Sequence, residues 1–212
     1  MNQRTMLRTI RLFMIVLMLL LAASVAAILW ARSTGILSLP LADQAETNSQ
    51  PITLGAPFTL TNHLNEPITE QALAGKPIAV VFGFTSCPEV CPTTLFDLDR
   101  WMTGADPGGQ RLEAFFITVD PERDKPENLN SYVTYFSDRI TGITGPPEDV
   151  WALADAWAVA HEKRYFTDDP NDGYDVNHTA SIFLMDAKGQ FRGTISYGAP
   201  DRRAIEKLKN LL

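Results

Sequence analysis

Apolar positions cluster in runs along the chain, and the period of each run separates strands from helices. The strongest run, Ile78 to Phe84, is unbroken by any charged residue. It reads as a strand buried on both faces of a parallel or mixed sheet. Leu95, Phe96, Leu98 and Trp101 then mark the apolar face of a helix reaching about Met102. Leu112 to Val119 predicts a second buried strand. Pro126 opens a helix through Phe136, Ile140 to Gly145 is a short extended piece, and Pro147 opens a helix through Ala160. That last helix carries Val150, Leu153, Ala154 and Trp157 on one face. Phe58 to Thr61 reads as a short strand, followed by a turn at His63–Pro67 and a short helix capped by Thr69 and ended at Gly75. Residues 167–177 read as a polar loop. Ala180–Met185 and Gln190–Ser196 form a hairpin around Asp186–Gly189, and Pro200 opens a final helix. Strands alternating with helices, closed by a hairpin, predict an α/β domain with a mixed sheet over residues 57–212.

One run has a different character. Leu12 to Ala31 contains no charge and only Ser24 as a polar residue. It is about the length a helix needs to cross a bilayer. Arg4, Arg8 and Arg11 precede it and Arg32 follows. This bias predicts residues 1–11 in the cytoplasm, a transmembrane anchor over 12–31 and everything beyond outside. The small residues at 22–27 also suit signal-peptide cleavage, the competing reading. The run continues through Ile28, Leu29 and Trp30, which favours a retained anchor, and no cysteine follows it for lipid attachment. Residues 32–56 lack periodicity and read as a linker.

Charge narrows the function. Residues 1–42 hold four basic and no acidic residues, leaving 14 of the 18 basic residues against all 25 acidic ones, a net −11 with histidine neutral. An acidic exported domain has no electrostatic footprint for nucleic acid.

The chemistry is concentrated where the first long strand ends. Cys87 and Cys91 are the chain's two cysteines, each followed by proline. They fall between a buried strand and a helix start, where free N–H groups and the helix dipole favour a thiolate. The spacing predicts Cys91 near the N-cap, with Pro92 at the first helical position. A turn of this length can bring the sulfurs within disulfide or shared-ligand distance. A structural disulfide is the bland alternative, although so short a ring constrains little of the unfolded chain. Cysteines ending the first long strand place the domain among thioredoxin-like folds. In that arrangement the segment before the 180–185 strand lies beside the cysteine turn, and His178 stands there. Thiol oxidoreductases of this fold usually have a cis-proline at that junction. Two thiolates and one imidazole suit copper, whereas structural zinc usually takes four protein ligands. His63 reads as a surface residue in a turn. His161 reads as a helix-end residue, packing or at the surface with Trp151.

Four stretches carry a family resemblance: FTSCPEVCPT (84–93), DPERD (120–124), YFSDR (135–139) with Thr144-Gly145, and YDVNHT (174–179). Over roughly residues 52–212 they resemble the Sco/SenC family, membrane-anchored copper chaperones of cytochrome c oxidase assembly. The resemblance implies a thioredoxin-like fold holding copper, as Cu(I), Cu(II) or both, through Cys87, Cys91 and His178. It implies delivery of copper to the CuA centre of cytochrome c oxidase subunit II, or reduction of that centre's cysteines. An upstream copper donor or thiol reductant would be a further partner. With the anchor, the expected location is a bacterial inner membrane, single-pass, with the domain on the periplasmic side. The alternative function is a thiol–disulfide oxidoreductase in exported copper or redox homeostasis, with Cys87 and Cys91 as a redox-active disulfide. One position departs from the pattern. The family often has Asp before the histidine, and Asn177 keeps the hydrogen bonding without the charge. Asp120 and Asp124 are candidates for hydrogen bonding around the ligands, with solvated or capping roles equally open.

Overall fold

The computed structural model describes residues 3–33 and 54–212. The chain divides into two compact units, Met1–Ser49 and Gln50–Leu212. Most of the expected linker, residues 34–53, lies outside the described residues.

In the first unit, helix α1 runs from Gln3–Ser33 and contains the expected span. The side chains of residues 13–27 are exposed, among them Phe13, Met18, Leu19 and Leu20. Among the described residues no helix is long and apolar enough to cross a membrane.

The second unit is built on a seven-stranded mixed sheet of order β2-β1-β5-β4-β3-β8-β9. Its strands are β1 (Thr59–Asn62), β2 (Pro67–Thr69), β3 (Ile78–Gly83), β4 (Glu113–Thr118), β5 (Ile140–Thr144), β8 (Ser181–Met185) and β9 (Phe191–Ser196). β3 is buried at every position, as its unbroken apolar run requires. It pairs parallel with β4 and antiparallel with β8. Helices α2 (Val90–Ala105), α3 (Pro126–Phe136), α4 (Pro147–Ala156) and α5 (Asp201–Lys209) flank the sheet. Phe116 meets Tyr132 of α3 on one face, and Phe82 and Phe183 meet Trp157 at the end of α4 on the other. Chain already packs on the domain at Gly55, whose N–H donates to the Ala156 carbonyl at 3.0 Å.

Several local expectations need correction. α2 starts at Val90, with Glu89 as N-cap. Pro92 is thus the third helical residue, still within the first turn, where a missing N–H leaves no helical bond unmade. The helix expected to reach Ala160 stops at Ala156, and Ala158 takes a left-handed φ of 53°. The segment read as a loop over 167–177 ends in a strand. β6 (His161–Tyr165) and β7 (Tyr174–His178) form a separate antiparallel ribbon. His161 therefore opens a strand rather than closing a helix, and stacks on Trp151 at 6.2 Å. His63 is half-buried rather than free at the surface, because its Nδ1 accepts the Gly142 N–H at 3.1 Å.

The topology fixes one end of the sheet as the place for chemistry. β3 and β4 run parallel, so the segments leaving them emerge side by side. β8 runs opposite, with Ile182 beside Val81, so it enters at that same end. The cysteine turn, the 119–124 loop and the approach to β8 meet there by register. This is the crevice outside strand carboxyl ends where open α/β sheets place their ligands.

Candidate functional site

Cys87 lies half-buried in the turn after β3, its N–H bonded to the Phe84 carbonyl at 3.2 Å. Cys91 is in the first turn of α2 and is 2% exposed. The N–H of Cys91 donates to the Cys87 sulfur at 3.4 Å. This is a helix-start amide aimed at a thiolate. Both cysteines are free thiols.

Their protons are unequally held. Hydrogen bonding from Cys91 is the main force that lowers Cys87 to about 3, with His178 adding to it. The same interaction pushes Cys91 strongly upward, and burial adds to it. The pair thus holds one thiolate, on the more exposed sulfur, and one thiol beneath it.

Gly83 lets Cys91 reach that depth. A Cβ at Gly83 would stand 2.8 Å from the Cys91 Sγ and 2.8 Å from Phe116. Strand β3 ends in glycine because sulfur and ring occupy the side-chain position.

His178, at the end of β7, is brought to the cysteines. Its Nε2 lies 3.7 Å from the Cys91 Sγ, and its Nδ1 lies 3.1 Å from the Thr179 carbonyl. A carbonyl only accepts, so Nδ1 donates to it and Nε2 is the ring nitrogen that faces the sulfur. Phe84 packs edge-on against the ring at 5.7 Å. His63 and His161 are not part of this group; His161 pairs with Asp155 at 3.1 Å. A cavity of about 300 Å³ adjoins Cys87 and His178 and is lined also by Glu89, Arg164, Asp175 and Asn177.

The donor set fits a soft metal. With bonds of about 2.0 Å to imidazole and about 2.3 Å to thiolate, two donors at a trigonal ion stand about 3.7 Å apart. The Cys91–His178 separation matches that value. Among the described residues no three or more His, Cys, Asp and Glu side chains are already assembled as a metal cluster.

Asp124 and Asp120 lie behind the turn, both fully buried. Asp124 accepts from the Thr85 N–H at 3.0 Å, the Thr85 hydroxyl at 2.6 Å and the Thr118 hydroxyl at 2.6 Å. It holds the residue between Phe84 and the cysteine turn. Burial pushes its carboxyl above the usual range despite those bonds. Asp120 takes the Tyr174 hydroxyl at 2.8 Å and pairs with Arg123. Sequence reasoning missed Gly83, Thr85, Arg123 and Tyr174. DPERD was visible as a charged loop at a strand end, but its partners are distant in sequence.

A mixed sheet with two thiols on the turn after its central strand, and an imidazole delivered to them from a ribbon, defines a thioredoxin-like domain equipped for thiol and soft-metal chemistry. The chain belongs to the SCO1/SenC family, whose profile matches residues 46–212. It is 32% identical over 163 residues to the mitochondrial protein SCO2 of Saccharomyces cerevisiae, covering 74% of this chain and 52% of that one. The chain thus spans about half the length of the curated relatives it matches first. Among solved structures, Bradyrhizobium japonicum ScoI with copper bound matches with a TM-score of 0.68 and 34% identity, over 75% of this chain and 99% of that one. Yeast Sco1 with copper bound matches with a TM-score of 0.67 and 32% identity, over 74% of this chain and 87% of that one.

Proposed function

We propose that this chain is a membrane-anchored copper chaperone. It takes copper as cargo through Cys87, Cys91 and His178 and delivers it to the CuA centre of cytochrome c oxidase subunit II, on the periplasmic side of a bacterial inner membrane. The observation that carries the reading is the 3.7 Å approach of the His178 Nε2 to the Cys91 Sγ, with the Cys87 thiolate beside them. Two thiolates match Cu(I), and the imidazole adds the donor that suits either oxidation state. Uptake displaces the proton that Cys91 retains, so loading releases acid. Cys87, the more exposed sulfur, is the ligand an incoming acceptor reaches first. Support for the anchor comes from the uncharged run 12–31 inside α1 and the arginines around it.

The unequal protonation of the two thiols favours a second reading, reduction of a partner disulfide. The Cys87 thiolate attacks one partner sulfur and releases the other as thiolate. Cys91 then gives its proton to the released partner thiolate and attacks Cys87, which frees the second partner sulfur as a thiolate that takes its proton from water. The chain is left with a Cys87–Cys91 disulfide. The two readings are compatible, since a CuA site must be reduced before it accepts copper.

The test is made in cells. His178→Ala is expected to lower the CuA signal of assembled oxidase while the chain stays in the membrane fraction. Rescue by added copper supports delivery, and rescue by an added dithiol supports reduction. Undiminished CuA in cells carrying Cys87→Ser or Cys91→Ser overturns both, and undiminished CuA in His178→Ala overturns delivery through His178. A mature protein in the soluble exported fraction, starting near residue 28, overturns the anchor.

A further inference from the structure

The DPERD loop, residues 120–124, lies between β4 and α3, yet its arginine reaches the histidine ribbon. The Arg123 Nε pairs with buried Asp120, and its Nη1 donates to the Tyr174 carbonyl at 3.0 Å. The guanidinium carbon is 4.0 Å from the Tyr174 ring centroid and 5.8 Å from that of Phe84. The Tyr174 hydroxyl closes the loop by donating to Asp120 at 2.8 Å. Tyr174 opens β7 and His178 ends it. Phe84 is the ring against which His178 rests. Arg123 therefore grips the histidine from two sides, through the strand that carries it and through the aromatic wall behind it.

The fit is specific to a planar fork. Asp120 and the Tyr174 carbonyl take donors from two nitrogens of one guanidinium, while the flat face meets two rings. The Arg123 Nη2 is buried and finds no acceptor among the described residues. The side chain is thus oriented by its stacks and by one side of its fork, not by satisfying every donor. Lys163 adds an outer tether to Glu122 at 2.5 Å, but its ammonium lies over Tyr174 and Trp151, and no contact with Phe84 is part of it.

We propose that Arg123 is the positioning residue for His178, holding Nε2 at the cysteine turn by clamping Tyr174 and Phe84. This rests on the copper reading only for its metal readout. Groups that orient a metal-ligating histidine set affinity through it, with losses of about 10–100-fold when removed. An arginine that merely neutralised Asp120 would act independently of the histidine.

A double-mutant cycle separates these roles, using the full chain purified in detergent. Arg123→Met keeps much of the stem and removes the fork; His178→Ala removes the ligand; a third chain carries both. Arg123→Met is expected to weaken Cu(II) binding at least about tenfold. The double variant should bind within about twofold of His178→Ala, because the arginine acts through the histidine. Additive losses, or wild-type Cu(II) affinity in Arg123→Met, overturn the proposal. Arg123→Lys, which keeps the charge beside Asp120, covers the case in which Arg123→Met does not fold, and it too should lose His178 order. A second readout needs no copper. In the metal-free chain, contacts between the His178 and Phe84 ring protons should vanish in Arg123→Lys, while the His63 ring signals stay unchanged. Retained ring contacts sink the clamp. If the wild-type chain binds no copper, the chaperone reading fails, and the ring contacts still decide the role of Arg123.

Discussion

Gly83→Ala tests the packing that sets the depth of Cys91. The added methyl would lie 2.8 Å from both the Cys91 Sγ and Phe116, with a third contact at 3.0 Å. Ordinary contact begins near 3.4 Å, so sulfur or ring must retreat by about 0.6 Å. Neither yields easily. Phe116 is fully buried and packs on Tyr132, and Cys91 is fixed in the first turn of α2. Overpacking of this kind costs about 1–3 kcal/mol. For a domain of this size, thermal unfolding should then fall by about 2–12 °C. Retreat of the sulfur also disturbs its 3.7 Å approach to His178, so copper affinity should fall with stability. Gly108→Ala is the matched control: nothing lies within 4 Å of its Cβ position and its backbone is not left-handed. Melting followed by near-UV circular dichroism, with copper titration of each variant, makes the comparison. If Gly83→Ala melts and binds like Gly108→Ala, Cys91 is not packed against β3 as argued.

Three other outcomes follow from the same geometry. Cys87, held as thiolate down to about 3, should react with iodoacetamide at a nearly constant rate between about pH 5 and about pH 8, and before Cys91; a rate rising tenfold per pH unit toward an ordinary thiol value of about 8.5 contradicts the shared-proton pair. Asp106 is buried, accepts the Arg111 and Leu112 N–H groups and pairs with Arg139, and these donors hold its carboxyl below the usual range. Its stabilisation is present above the unfolded value of about 3.9 and is lost as pH falls through the folded one. Asp106→Asn should therefore cost about 2–3 kcal/mol at neutral pH and flatten the acid limb of the stability curve, measured by denaturant unfolding; an unchanged acid limb refutes the assignment. Oxidation of Cys87 and Cys91 to a disulfide consumes both sulfur donors, so the oxidised chain should bind no Cu(I) at this site until reduced, and equal affinity before and after oxidation would remove the cysteines from it.

The parts legible in the sequence are those whose residues carry their own instructions. The apolar run of β3 and the proline that opens α3 correspond to Ile78–Gly83 and Pro126–Phe136 in the structure. The three-residue strand Pro67–Thr69 was not legible. It sits at the sheet edge, where its proline is tolerated and its pairing with β1 is the only signal. The ribbon was hidden for a different reason. β6 reads His-Glu-Lys-Arg-Tyr, with no apolar alternation, and is held by its register with β7 and by Lys163 over Trp151 and Tyr174. Missing the ribbon made His178 look like a loop residue, though its place beside the cysteines followed from the strand after it. Cys87 and Cys91 were visible by type and spacing. Thr85 and Asp124, 39 residues apart, and Arg123 and Tyr174, 51 apart, meet only through the parallel pairing of β3 with β4 and the return of β7.

The central claim, that Cys87, Cys91 and His178 hold one copper, is tested most directly by titrating the reduced full chain in detergent with Cu(I) and Cu(II). Wild type is compared with Cys87→Ser, Cys91→Ser and His178→Ala, and with His63→Ala and His161→Ala as controls. The account predicts one copper per chain, near loss of Cu(I) in either serine variant, and in His178→Ala weakened Cu(I) with a more complete loss of Cu(II). His63→Ala and His161→Ala should bind both states as wild type does. If His178→Ala also binds both states like wild type, His178 is not a ligand, and the chain's chemistry is that of the thiol pair alone.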